Sequence, residues 1–256
     1  MTQKAAWGTA KLEDFKRRIF HVIEKAEDFS AVNFTGVVFP GPISFGHFTA
    51  ERPRGDIKFI AATFSGDAWF NNATLGSDAY FNNATFSGDV NFENAIFNRA
   101  WFQNADFRGE ANFNHAIFNR EANFNRAKFF NYAWFLNAIF SHDSDDGGKA
   151  RFENATFSVL ANFNSATFSG DADFKNATFS GDANFYRATF SRVADLSCSP
   201  GTSKTSSDIV LAHDAFGQVL FEDATFDGKA IFTNRKFTQP SMRTRLSSPC
   251  GLSWVL

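Results

Sequence analysis

The chain of 256 residues has two cysteines, Cys198 and Cys250. Two are too few for a disulfide framework or a zinc site, and they read as free thiols in a reducing compartment. Charge of one sign is also missing: 25 Lys and Arg against 27 Asp and Glu leave a net charge of -2. That balance argues against broad electrostatic binding to nucleic acid or an anionic membrane. No apolar run approaches the roughly 18 residues of a membrane span, and the N-terminus lacks the apolar stretch of a signal peptide. The expectation is a soluble, cytoplasmic protein. Leu and Ile are sparse while Phe alone occurs 36 times, so the interior cannot be the usual aliphatic mixture.

What is present is a repeat. Ala166 Thr167 Phe168 Ser169 Gly170 Asp171 Ala172 Asp173 Phe174 Lys175 Asn176 is followed by Ala177 Thr178 Phe179, which starts the pattern again. Between Phe59 and Leu196 the large apolar residue is Phe except at Leu75 and Leu196. The residue two places earlier is Ala except at Ile57 and Val90. Steps of five and six usually alternate, so the eleven-residue unit is two shorter ones. Neither the helical period nor a sustained period of two fits them. Ala-x-Phe is instead a short extended piece with its first and third side chains on one side. The Asn, Gly, Ser and Asp between triplets are corner formers. Side and corner in alternation wind a solenoid with Ala and Phe inside.

These triplets, best seen at Ala73 to Leu75, Ala84 to Phe86, Ala155 to Phe157 and Ala177 to Phe179, resemble the pentapeptide-repeat proteins. The resemblance implies an all-β fold, a right-handed quadrilateral parallel β-helix. The six-residue steps depart from the family pattern and imply coils of usually 22 residues, with fuller loops at two opposite corners. Phe29, Phe34, Phe39 and Phe45 continue the inward set toward the N-terminus, and Phe216, Phe221, Phe226, Phe232 and Phe237 toward the C-terminus. The β-helix is therefore placed at 29–237, with loops near 51–56, 141–149 and 197–207.

An open solenoid end exposes apolar rings and unpaired strand groups, so a cap is required. Leu12, Phe15, Ile19, Val22, Ile23 and Ala26 recur at helical spacing and predict an amphipathic capping helix over 10–27, within an N-terminal segment 1–28. Its mixed charges favour a lid over a membrane-surface helix. The C-terminal tail, 238–256, has no repeat; it could close the far end, join two subunits or stay disordered.

The chemistry of catalysis is scarce. His21, His47, His115, His142 and His213 share no metal-ligand spacing, and no catalytic triad, Walker loop or dinucleotide fingerprint occurs. The acidic loop Ser141 to Lys149 lacks the terminal Glu of a calcium loop. Arg54 Gly55 Asp56, an integrin-type tripeptide, is most simply chance in a chain without a secretion signal. A filled rod also lacks the concave pocket an enzyme needs. The reading is no enzyme, no cofactor and no metal.

Stacking of sides picks out surfaces. One corner column holds Asp67, Asp89 and Glu110, a candidate acidic ridge, and continues with Tyr132, Leu160 and Asp182. The opposite column, Asp78, Arg99, Glu121, Lys149, Asp171 and Val193, alternates in sign. Outward residues of one side read Thr74, Ile96, Ile117, Ile139, Thr167 and Thr189, and the adjacent side begins Tyr80, Trp101. Tyr80, Ile96, Trp101, Ile117 and Ile139 form the candidate protein-contact face. Trp69 and Trp134 stand on another side, separated by Asn91 and Asn112. Residues 56–196 carry 16 acidic and 11 basic side chains, a net of -5. The leading reading is a non-enzymatic protein-binding scaffold whose partner is another protein or a second copy. The alternative, which the resemblance suggests, is a DNA mimic directed at a type II topoisomerase such as DNA gyrase; Arg99, Arg108, Arg120, Arg126, Lys128 and Arg151 interrupt its negative surface.

Overall fold

The computed structural model describes residues 8–26, 32–46, 48, 55–141, 148–197, 219–221, 224–227 and 230–231. Phe29, most of the three loops, Phe216, Phe232, Phe237, the tail, Cys198 and Cys250 lie outside the described residues. The chain winds as a parallel β-solenoid of two-residue strands on four sides. The first side stacks seven strands from Val38–Phe39 to Thr178–Phe179, and the second stacks eight from Ile43–Ser44 to Val219–Leu220. The third and fourth sides merge into one 13-stranded sheet. They merge because Thr74–Tyr80 and Ile96–Trp101 run round the corner as unbroken strands.

The registers follow the repeat. Thr63 pairs with Thr85, Thr85 with Asp106 and Asp106 with Lys128, so residues 21 or 22 apart lie one above the other. The step from Lys128 to Thr156 spans 28 residues and keeps the register. Every Ala-x-Phe triplet between 57 and 196 buries its first and third residues, including Ile57, Leu75, Val90 and Leu196 at the exceptional places. Ala is small because the ring of its own triplet fills the shared interior. Within a column the rings stack almost parallel, as for Phe107 on Phe129 at 4.6 Å and 4°. Rings of the opposed second and fourth sides meet edge to face, as for Phe113 and Phe124 at 5.4 Å and 88°. Both are favoured arrangements of aromatic quadrupoles.

The two kinds of corner have separate physical causes. After the second and fourth sides the chain turns in two residues, and the second of them takes positive φ: Asn72, Asn83, Asn94, Asn104, Asn137, Asn154 and Asn176 all fall at 54–59°. Asn tolerates this left-handed region best among non-Gly residues. Ala61, His115, Arg126, Ser165 and Arg187 occupy the same place without that advantage. The other two corners take more residues. There Gly88 and Gly109 sit so close to the coil below that a Cβ would fall 2.5 Å from the Asp67 and Asp89 carboxylates respectively.

The predicted cap is the helix α1, Thr9–Lys25. Ile19 is buried, and Phe15 meets Phe39 edge to face at 6.0 Å. Leu12 packs so near Gly41 that a Cβ there would come within 2.9 Å. The outer face is held by ion pairs of Glu13 with Lys16 and of Asp14 with Arg17 and Arg18.

Candidate interaction surfaces

A solenoid places its outward residues by register alone, so each surface can be read as a ladder. On the third side Thr74, Ile96, Ile117, Ile139 and Thr167 are successive register partners. Ile96 and Ile139 are 37% and 39% exposed, and Ile117 between them is half-buried. Three branched apolar side chains thus form one continuous rib on a flat face. Thr fills the same place in the coils above and below, so the fold does not require Ile there.

Tyr80 and Trp101 are register partners on the fourth side, with rings 6.2 Å apart and 9° from parallel. They contribute less apolar surface than their side-chain type suggests. The Tyr80 hydroxyl donates to Asp78 Oδ2 at 3.0 Å, and Trp101 Nε1–H donates to the same oxygen at 3.3 Å. Arg99 lies 3.8 Å from that oxygen as well. Asp78 is itself buried. Burial and the neighbouring Asp78 push the Tyr80 phenol up to about 12, because both disfavour a second negative charge there. The pair is a closed structural hub beside the Ile rib, and only ring faces and edges are left to a partner.

Asp67, Asp89 and Glu110 stand in one column: the Asp89 and Glu110 carbonyls accept from the amides of Ala68 and Val90. Two of its carboxylates are partly occupied. Asp67 Oδ1 accepts from the Asp89 amide at 3.0 Å, and Asp89 Oδ1 from the Glu110 amide at 2.8 Å. Their column is a hydrogen-bonded seam between coils as well as a line of charge. On the opposite corner the charges are paired across coils: Arg151 Nε lies 2.7 Å from Glu121 Oε1, and Lys149 and Arg192 lie 3.4 and 3.8 Å from Asp171.

A further rule appears on the second and fourth sides. Where the outward residue is Asn or Asp, its Oδ1 accepts from the backbone amide two residues on, as at Asn91, Asn112, Asn123, Asn162, Asp173, Asn184 and Asp195. This supports the first residue of the tight turn. Trp134 and Arg151 cannot do so, and the coil below supplies the acceptor instead: Asn114 Oδ1 takes the Leu136 amide and Asn125 Oδ1 the Glu153 amide, both at 2.9 Å. Burial and the nearby Asp195 and Glu153 raise the Asp173 carboxyl against the opposing pull of the Lys175 amide.

An aromatic corner escapes a reading by sides alone. Phe130 is 48% and Tyr132 38% exposed, and Tyr132 stacks on Trp134 at 5.6 Å. Among the described residues no group of three or more His, Cys, Asp or Glu is placed to hold a metal, and no helix is long and apolar enough to cross a membrane. Residues 71–117, 102–145 and 152–197 match the family model for pentapeptide repeats, in 9 copies. A search of curated proteins returns no match.

Proposed function

We propose, from the premise that this chain is a pentapeptide-repeat protein, that it is a non-enzymatic scaffold which binds another protein through its outward ladders. The observation that carries the reading is the Ile96, Ile117, Ile139 rib, apolar and solvent-facing where Thr would serve the fold equally. A flat strand face with such a rib suits a partner that presents its own apolar strand or helix face, including that of a second copy. Tyr80 and Trp101 border it, with their polar atoms already satisfied by Asp78. Replacing all three Ile with Thr, the residue of the neighbouring coils, tests the role. Self-association in sedimentation equilibrium, or capture of a partner already identified with the wild-type chain, is expected to weaken while melting stays nearly unchanged. Retained association in the triple variant would refute the rib as the contact.

A second reading, mimicry of duplex DNA toward a type II topoisomerase, has the stacked Asp67, Asp89 and Glu110 in its favour. The amides that occupy Asp67 and Asp89, and the paired charges of the opposite corner, weigh against it. Inhibition of gyrase supercoiling by micromolar protein, lost on neutralising the three carboxylates, would establish that reading over the first.

A further inference from the structure

We infer that the second side of the rod binds a neutral glycan, a β-linked chain of pyranoses laid along the rod axis. Its outward column is Trp69, Asn91, Asn112, Trp134, Asn162 and Asn184, each the register partner of the next. No charged side chain interrupts it, unlike the first side with Asp106 and Lys128 or the fourth with Arg151 and Asp173. The four Asn Oδ1 atoms accept from the amides of Glu93, Asn114, Asn164 and Tyr186 at 2.8, 2.9, 3.0 and 2.8 Å. A backbone N–H only donates, so each carboxamide is locked with its oxygen toward the chain, and its NH2 is the group left for a ligand. The result is a row of preset donors, about 4.8 Å apart from coil to coil.

Two aromatic surfaces bracket the first pair of these donors. Trp69 is 38% exposed, and Trp134, three coils on, is widened by the Tyr132 ring stacked on it. Neither Trp can cap the turn as Asn does in this place. At Trp134 that cap is lost and Asn114 of the coil below has to replace it. A local rule broken on the surface, with no gain in the buried core, points to a functional position. Along the adjoining corner run the carboxylates of Asp67, Asp89 and Glu110, which offer acceptors beside the donors.

Aromatic planes, fixed amide donors and flanking carboxylates match a pyranose, whose C–H face stacks on a ring while its hydroxyls both donate and accept. The spacing separates it from other polymers. A polyproline chain advances about 3.1 Å per residue and a strand about 3.3 Å, both out of step with a rung of about 4.8 Å. Successive rings of a β-linked glycan advance by close to one coil. A nucleic acid would meet carboxylates and no line of cations. This face and the Ile rib are separate sides with separate residues, so either proposal can fail without the other.

The test is titration calorimetry of the full chain with the hexasaccharides of β-1,4-linked glucose, xylose, mannose and N-acetylglucosamine. At least one is expected to bind. Trp69→Asn and Trp134→Asn, which install the residue of the neighbouring coils, should each weaken it about tenfold or more, the 1.4 kcal/mol of a lost aromatic contact. Melting of both variants should match the wild type, and the matching trisaccharide should bind less tightly because it cannot span both Trp residues. No heat with any hexasaccharide at millimolar concentration overturns the inference. So does binding that both variants retain, or Trp-dependent binding of a proline-rich peptide where the glycans fail.

Discussion

Truncating one interior ring, Phe113→Ala, probes how the rod holds itself together. Phe113 is fully buried, with Phe92 and Phe135 stacked on its two faces at 4.9 Å. Phe102 and Phe124 press edge-on from the fourth side at 5.5 and 5.4 Å. A Phe→Ala change in a core costs about 3–5 kcal/mol, the spread reflecting how far the site can collapse. Here collapse is blocked. Ala111 is tied into the ladder between Val90 and Ala133, and the Phe113 amide donates to the Trp134 carbonyl at 2.7 Å. The neighbouring rings are fixed in their own columns by the same means. The loss should therefore lie at the upper end, about 4–5 kcal/mol, read as a shift of the urea midpoint at unchanged slope. Because each coil touches only its neighbours, amide exchange should accelerate first between Phe92 and Phe135. A loss below about 1 kcal/mol would refute the account of a rigid stacked core.

Three other outcomes follow from single groups. Arg126 holds φ of 59° at a tight corner, where seven other tight corners place Asn; Arg126→Asn should raise the thermal midpoint through a stability gain of about 0.5–1 kcal/mol. Tyr80 should ionise near pH 12 in a spectrophotometric titration, and Asp78→Asn should return it toward 10. Since the folded phenol is raised above its unfolded value, the neutral form is the stabilising one, and stability should fall between pH 10 and 12. The Asp173 carboxyl is likewise raised, so the folded state favours its protonated form and stability drops as pH rises from the ordinary carboxylate range through the folded value. Asp173→Asn keeps an oxygen for the Lys175 amide and should raise the melting temperature at pH 7, with the gain fading at acid pH.

The inward half of the molecule was legible because Ala-x-Phe admits one packing: from Ile57 to Leu196 the small and large residues are buried as read. The corners were legible too, Asn in the tight ones through its tolerance of positive φ, and six-residue steps in the wide ones. The columns of Asp67 and of Ile117 followed from counting coils. Periodicity assigns a residue to a side and says nothing of its rotamer. For that reason Tyr80 and Trp101 read as apolar surface, although their polar ends turn to Asp78. Asp67 and Asp89 read as bare charge for the same reason, although the next coil's amides engage them. Phe130 and Tyr132 sit in a wide corner outside the triplets, so no column of Phe pointed to them. The loss of Asn at Trp134, set against Asn114 one coil below, was the available signal.

Every surface described depends on one geometric claim, that each coil returns to the same four sides and sets register partners, 21 or 22 residues apart where no insertion intervenes, against one another. Disulfide trapping measures it directly, since register partners on adjacent strands lie within disulfide reach. In a chain with Cys198 and Cys250 replaced by Ser, the pair Ile117→Cys and Ile139→Cys should close rapidly on mild oxidation, the two being partners on the third side. The pair Ile117→Cys and Lys128→Cys is closer in sequence but divided between the third and first sides, and should stay reduced. Closure of the second pair as readily as the first, or failure of the first in a folded chain, would contradict the account.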